Sequence, residues 1–284
     1  MLHFLISSFL VTLIFVPFGI FFSKEQTNIV GFSSQLIYAT ITLSFIALIL
    51  NFFIPLNTYT SSSIIILSII LIIKNWNFYY NKNFFIFSAI SGFIIIILLV
   101  ESNTYRPDAG LYHLPYIKIL NDEKIIFGLS NLHFRFAHIS IIQYLSAISN
   151  NFIFQNNGIV FSSAVIASAI ILNFSSQIFN YLKNNNYNFH FYFLVSILIY
   201  IFLKMNRYSE YGNDAPSHFL YFFLLSETLK YNDDKSAKNI LNLLLLSVFI
   251  ILNKITLIMC ILFPFIFLNK NNFKKILKNK KIYF

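Results

Sequence analysis

The sequence predicts an all-α integral membrane protein, a multi-span bundle of about eight or nine transmembrane helices. The first observation is composition, because 57% of the 284 residues are hydrophobic and only 11% are charged. An average soluble domain has about 25% charged residues. The second is clustering, since the apolar residues form runs that approach the roughly 20 residues that a helix needs to cross a bilayer.

The first apolar run, 2–22, predicts a retained membrane helix. It has no basic n-region and no small-x-small cleavage site, so it does not fit a signal peptide. The runs 60–73 and 190–204 are short for a full crossing. The other single spans are predicted from apolar runs at 32–55, 84–101, 158–182 and 215–229.

The run 239–268 is longer than one span needs and contains Asn253 and Lys254 near its middle. A tilted single helix and a pair of short helices both fit its length. Basic residues concentrate on the inner side of membrane proteins. With the N-terminus outside and this run split, most of the 20 Lys and Arg residues lie inside. The charge pattern therefore favours nine helices with Lys254 at an outer turn.

This topology predicts one transmembrane helical domain, 1–268, and a basic cytoplasmic tail, 269–284. The polar loops 102–157 and 204–215 then share the outer face. Within the first loop, 139–149 is apolar with small residues and predicts a helix at the membrane surface. The net charge of +10 is explained by this basic tail and the inner loops, so we expect a lipid bilayer and no nucleic acid as partner.

Proton-transfer groups gather in the first outer loop, in a chain with only ten acidic residues and six histidines. Asp108 lies between Pro107 and Ala109-Gly110, which predicts a stiff turn of the kind that a general base or a metal ligand requires. Asp108 could equally cap the helix that follows. The single cysteine, Cys260, excludes an intramolecular disulfide and a zinc-finger cluster.

Three histidines, His113, His133 and His138, follow Asp108 in this loop. Aspartate and histidine together could bind a divalent cation, and Asp108 and His113 are the candidate ligands. Each histidine could instead be a hydrogen-bonded residue at the membrane interface. Arg106 and Arg135 could hold a phosphate through paired hydrogen bonds.

The second outer loop contains Glu210 and Asp214, which could add a carboxylate to a site between the loops. The sequence around Asp214 also predicts a turn that leads into a helix. Lys254 is a charge among apolar residues, which indicates function, with a phosphate or Asp214 as its partner. Snorkelling to the interface is the alternative. The candidate catalytic residues are thus Asp108, His113 and Asp214, and the candidate substrate- or phosphate-binding residues are Arg106, His133, Arg135, His138, Glu210 and Lys254.

The motif Asp-x-Gly-Leu-Tyr-His at 108–113 is followed by Gly-Leu-x-Asn-Leu-His-x-Arg at 128–135 and then by a Ser-Ala helix. Together they resemble a group of bacterial multi-spanning proteins that are similar to the GT-C superfamily of membrane glycosyltransferases. The segment 209–214 and Lys254 fall where that group also has polar motifs. The resemblance extends over about residues 84–268.

The resemblance implies a GT-C-like fold in the bacterial inner membrane and sugar transfer from a polyprenyl-phosphate carrier to a glycan or protein acceptor of the cell envelope. A loop carboxylate on the outer face of such enzymes acts as base or binds a metal, and Asp108 is the matching position. Arg106, Arg135 and Lys254 would neutralise the carrier phosphate. Two features depart from the superfamily: about four spans precede Asp108, and the end at a basic tail suggests a truncation point.

Two other functions are open from the sequence. A transporter or flippase for a lipid-linked or anionic solute would have charges inside its helices and broken helices. A non-catalytic subunit of surface-polysaccharide assembly would fit a short chain without a soluble domain. The location of Asp108 and Asp214 distinguishes the enzyme from the transporter. If both face one cavity at the outer membrane surface, the enzyme is favoured. If they line a passage across the midplane, the transporter is favoured.

Overall fold

The computed structural model describes residues 2–23, 27–102, 108–137, 140–155, 158–204, 211–231 and 237–267, and these contain helices and no strand. The α-helices are α1 Leu2–Phe15, α2 Ile20–Ser23, α3 Ile29–Asn51, α4 Thr58–Lys74, α5 Trp76–Tyr79, α6 Lys82–Ser102, α7 Leu114–Asp122, α8 Ile142–Ser149, α9 Gly158–Lys183, α10 Phe189–Leu203, α11 Asp214–Tyr231, α12 Ala237–Asn253 and α13 Leu262–Phe267. A π-helix, Ala109–His113, precedes α7, and 3-10 turns occur at Val16–Gly19, Leu129–Asn131, Phe134–Ala137 and Ile255–Ile261.

Asparagine begins three of the long apolar helices. The Asn28 side chain accepts a hydrogen bond from the Gly31 N–H at the start of α3. Asn57 caps α4 and Asn188 caps α10 in the same way. An asparagine oxygen satisfies one of the free N–H groups in a first turn, so these residues set where each apolar helix starts.

Within the described residues, four helical stretches are long and apolar enough to cross a membrane. They are His3–Phe22, Ile29–Asn51, Lys82–Leu99 and Gly158–Lys183. Four shorter apolar helices accompany them at Thr58–Lys74, Phe189–Leu203, Asn239–Asn253 and Ile255–Ile266. Large apolar side chains on the shorter helices are exposed, such as Ile73 at 66% and Leu203 at 76%, which suits contact with lipid tails. The chain is a helical membrane protein, and its number of spans stays a prediction.

The helix α9 lies at the centre of the bundle and is buried along most of its length. It packs against α3, α6, α8, α10 and α11. Small residues on α9 allow close approach, and serine hydroxyls pair across two of these contacts. Ser162 lies 2.6 Å from Ser146 of α8, and Ser168 lies 3.0 Å from Ser91 of α6, measured between the hydroxyl oxygens.

The run 239–268 is broken at Lys254, as the charge pattern predicts. The helix α12 ends at Asn253, Lys254 has an extended backbone with φ −148° and ψ 104°, and a 3-10 helix follows. A tilted single helix is therefore wrong for this run.

The stretch 139–149 contains a helix, α8, as its apolar and small residues predict. All residues of α8 are buried, against α3, α7 and α9, because small and apolar side chains pack on every side of so short a helix. Its location at the membrane surface stays a prediction.

The described part of the loop 102–157 folds over one end of the bundle. The Leu56 N–H, between α3 and α4, donates to the Leu120 carbonyl of α7 at 2.8 Å. The Asn121 side chain donates to the carbonyl oxygens of Leu56 and of Ala147 in α8. The amide of Asn51, at the end of α3, donates to the Glu123 carbonyl. Side chains thus fix this loop to the helix ends beneath it.

Candidate functional site

Asp108 and His113 lie at the two ends of one wide helical turn. The Leu114 N–H bonds the Ala109 carbonyl five residues earlier, which defines the π-helix Ala109–His113. Pro115 follows at the start of α7, where it has no N–H to donate and its ring crowds the carbonyl of Leu111. A widened turn relieves that crowding, and such π-turns are frequent at functional sites.

Asp108 is exposed and precedes the π-helix with helical backbone angles. Its side chain makes no capping hydrogen bond, so the alternative that it caps the following helix is not what the structure shows. The carboxylate is therefore free to interact with a ligand. An exposed carboxylate of this kind can accept a proton from a hydroxyl that binds beside it.

His113 lies beneath this exposed rim and is only 4% exposed. Its Nδ1 is 3.0 Å from Nε2 of Gln143 in α8. Burial lowers the pKa of His113 to about 4, although the nearby carboxylates of Asp108 and Asp214 favour the charged ring and Arg135 opposes it. His113 is thus neutral at pH 7 and has charged groups from three segments around it.

Arg135 comes to the same place from the 3-10 turn Phe134–Ala137. Its guanidinium carbon lies 5.4 Å from the ring centre of Tyr112 and 5.2 Å from that of Phe134. Stacking on aromatic rings holds a guanidinium in place, and Arg135 also makes a side-chain hydrogen bond with Tyr112. Burial is the main cause that raises the pKa of Tyr112, and Asp108 and Asp214 raise it further.

Asp214 and Lys254 join helix ends from the second loop. Asp214 begins α11, where the helix dipole favours a negative charge, and Lys254 follows the end of α12. Lys254 Nζ lies 2.8 Å from Asp214 Oδ1, with side-chain exposures of 25% and 68%. Of the two partners predicted for Lys254, the structure shows Asp214. The pair leaves the ammonium partly exposed at the rim.

A polar network that sequence reasoning missed supports this pair. The Asn213 side chain donates to the Asn253 carbonyl at 3.0 Å, and the Asn253 amide donates to Ser217 Oγ at 2.6 Å. The hydroxyl of Ser140 donates to Asn253 Oδ1. The only signal in the sequence is that Asn253 is a polar residue inside the run 239–268 and that Ser140 is a polar residue near the start of the apolar stretch 139–149.

The structure brings together five of the nine predicted site residues, namely Asp108, His113, Arg135, Asp214 and Lys254. We call these five residues the rim cluster. His133 stays within its own segment, where its Nδ1 accepts from the Arg135 N–H and its ring stacks on Phe134. Arg106, His138 and Glu210 lie outside the residues that the structure describes.

The rim cluster contains two carboxylates that could bind a cation, those of Asp108 and Asp214. Within the described segments, no group of three or more His, Cys, Asp or Glu side chains could hold a metal ion. Mg²⁺ is often bound by one or two carboxylates together with substrate phosphates. Asp108 and Asp214 fit such a shared site better than a site built from protein ligands alone.

An apolar cleft of about 370 Å³ is lined by α11 and by the segment that follows Lys254 in the chain. Tyr221 of α11 lines one wall, and side chains between 256 and 266 line the other, including Leu257 and Phe263. Met259 and Ile266 on this segment are each 70% exposed. The segment that follows Lys254 in the chain therefore presents an apolar surface.

The whole chain was compared with known protein families, curated proteins and solved structures. No curated protein and no solved structure matches it. The family described as "Domain of unknown function (DUF8201)" matches residues 1–284. Because this match includes every residue, the chain belongs to the DUF8201 family.

Proposed function

We propose that this protein is an integral membrane glycosyltransferase of GT-C type. It would transfer a hexose or pentose from a polyprenyl-phosphate carrier to a cell-envelope acceptor, at the outer face of the bacterial inner membrane. The proposal rests on the rim cluster, in which groups from both loops meet, and on the apolar cleft lined by the segment that follows Lys254 in the chain. A lipid-linked sugar phosphate has the matching chemistry, since it joins an apolar chain to a charged group.

In this proposal Asp108 accepts the proton of an acceptor hydroxyl, whose oxygen then bonds to the anomeric carbon of the sugar. The bond from that carbon to the phosphate oxygen breaks, and the polyprenyl phosphate leaves. Arg135 and Lys254 neutralise the negative charge that develops on the phosphate. A divalent cation held by Asp108, Asp214 and the phosphate would add to this neutralisation.

The positions of the charges support an enzyme over a transporter. Asp108, Asp214 and Lys254 each lie at the end of a helix, at the same end of the bundle. A carrier that alternates its access needs its binding residues near the membrane midplane.

The test is sugar transfer by the purified protein in lipid nanodiscs, with radiolabelled polyprenyl-phosphate hexose and pentose donors. We expect Asp108→Asn to lower the rate at least about a hundredfold, the usual contribution of a general base. The fold should be unaffected, because Asp108 makes no capping bond. Asp122→Asn is the control, since Asp122 is an exposed carboxylate of the same loop in a surface ion pair with Lys118.

Full transfer by Asp108→Asn would remove Asp108 from the mechanism. Movement of the labelled lipid across the membrane by the unaltered protein, without transfer of its sugar, would contradict the enzyme and favour the transporter. Loss of activity in Asp122→Asn as well would mean that any charge change in this loop is disruptive.

A further inference from the structure

The orientation of one buried amide decides which nitrogen of His113 holds the proton. Gln143 is 4% exposed, and its Oε1 accepts a hydrogen bond from the Ser140 backbone N–H at 3.1 Å. A backbone N–H can only donate, so the carbonyl end of the Gln143 side chain must face Ser140. Its NH₂ end then faces His113 Nδ1 at 3.0 Å.

An amide NH₂ group is also a donor only, so His113 Nδ1 must accept from it. A nitrogen that accepts a hydrogen bond holds no proton. A charged imidazolium would direct its Nδ1–H against the Gln143 NH₂ group, which agrees with the lowering of the pKa of His113 by burial. His113 is therefore the neutral tautomer with its proton on Nε2.

This Nε2–H lies at the rim cluster. A Cβ placed on Gly212 would lie 3.7 Å from Nε2, which puts this nitrogen directly beside the second outer loop. Within the described part of the chain, no group accepts a hydrogen bond from Nε2. The charged groups that act on the ring are Asp108, Asp214 and Arg135.

The amide itself is held by the network that links α8 to α11 and α12. Ser140 orients Gln143 through its backbone N–H. The hydroxyl of Ser140 donates a hydrogen bond to the Asn253 side chain. Asn253 in turn donates to Ser217 of α11. Because the Ser140 backbone N–H can only donate, it fixes the Gln143 amide, and the tautomer of His113 is set before any substrate binds.

We propose that Gln143 is a positioning residue that fixes His113 as an Nε2–H donor, and that this N–H donates to a phosphate oxygen of the bound lipid carrier. The identity of the acceptor oxygen rests on the proposed function, whereas the tautomer does not. His113 then acts neither as a general base nor as a metal ligand through Nε2, since that nitrogen has no free lone pair. A neutral histidine that polarises an oxygen is a known catalytic arrangement.

The test is ¹⁵N NMR of the full-length protein labelled at histidine in nanodiscs at pH 7. A His113→Asn variant, which lacks the His113 signals, assigns them among the six histidines. We expect an unprotonated Nδ1 and a protonated Nε2 for His113 without ligand. A protonated Nδ1 in this spectrum, in either the neutral or the charged ring, would overturn the proposal.

Gln143→Glu replaces the NH₂ donor that faces His113 Nδ1 with a carboxylate oxygen, which accepts a hydrogen bond. A carboxylate at this position accepts from Nδ1–H and favours the charged ring, so the pKa of His113 should rise and Nδ1 should become protonated at pH 7. An unchanged His113 signal in Gln143→Glu would contradict control by residue 143. Gln143→Met keeps a similar volume without any donor, and we expect a mixture of both tautomers. If Gln143→Glu does not fold, Gln143→Met decides, because an unchanged single tautomer there contradicts the proposal equally.

Addition of a short-chain polyprenyl phosphate to the unaltered protein tests the donation. We expect the His113 Nε2 signal to shift with the phosphate lipid and not with the corresponding neutral alcohol. Gln143→Met should bind the phosphate lipid about twofold more weakly if its two tautomers are equally populated, because only the fraction with Nε2–H can donate. Binding without an Nε2 shift would overturn the donor role. Failure of the lipid to bind at all would contradict the proposed carrier, while the ligand-free spectra still decide the tautomer.

Discussion

Lys254 shows at the scale of one residue how a charge divides an apolar run. It lies between α12 and a 3-10 helix and bonds Asp214 at 2.8 Å. An ion pair this exposed contributes at most about 1 kcal/mol to stability. Placement of the ammonium at the rim is therefore a better explanation for Lys254 than stabilisation of the fold.

Replacement of Lys254 by methionine separates these two roles. We expect Lys254→Met to weaken binding of a polyprenyl-phosphate donor while changing the free energy of unfolding by less than about 1 kcal/mol, because the lost ion pair is weak. Lys254→Arg should retain part of the binding, since the charge remains. Binding by native mass spectrometry and thermal unfolding in detergent measure the two quantities.

Lys118→Met is the matched control, because Lys118 is an exposed lysine paired with Asp122 at the same end of the bundle. Full donor binding by Lys254→Met, together with raised stability, would exclude the phosphate role. Arg135 would then be the one basic member of the rim cluster left to hold the phosphate.

At the scale of the element, the end of α12 is a junction between three helices. Asn253 accepts from Ser140 next to α8 and donates to Ser217 and to the Asn213 carbonyl at α11. Asn253 is 2% exposed, and its partners Ser140 and Ser217 are fully buried, so a hydroxyl that loses Asn253 is left without water. A buried group without its partner costs more than the hydrogen bond itself contributes.

We expect Asn253→Ala to lower the free energy of unfolding by about 1–3 kcal/mol, because the buried Ser140 and Ser217 hydroxyls lose their bonds to the Asn253 side chain. Asn184→Ala, at an exposed turn after α9, should stay within about 0.5 kcal/mol. Chemical or thermal unfolding in detergent gives both values. Equal stability of the two variants would mean that the junction does not hold the helix ends together.

The positions of these elements were predictable to different degrees. The long helices follow from apolar runs, and the break at Lys254 follows from one charge in such a run. Gln143, Ser140 and Asn253 were not predictable as site residues, because a polar residue on an apolar helix gives no indication of its partner. Their partners lie far away in sequence, 30 residues for Gln143 and His113 and 113 for Ser140 and Asn253.

The convergence of the loops was a prediction from topology and charge alone, and contacts between them are present in the structure. Gly212 lies beside His113, and Asp214 acts on the same ring. The sidedness of this end stays a prediction, since the positive-inside rule is its only support. Contributions of Arg106, His138 and Glu210 also stay predictions, because these residues lie outside the described ranges.

At the scale of the whole molecule, the proposed function requires that the rim cluster faces the outside of the membrane. A polyprenyl-phosphate sugar used for the cell envelope is consumed on that face, and the basic tail 269–284 should lie on the other. Ser130 is exposed in the same loop as Arg135, whereas Lys275 lies in the tail. The two positions therefore report on opposite sides of the predicted topology.

The most direct measurement is labelling of intact cells with a membrane-impermeant maleimide, in a Cys260→Ala background that removes the single native cysteine. Ser130→Cys should be labelled from outside, and Lys275→Cys only after the membrane is permeabilised. Labelling of Lys275→Cys in intact cells, with Ser130→Cys protected, would place the rim cluster in the cytoplasm and contradict the proposed transferase. Equal labelling of both from outside would contradict the nine-helix topology.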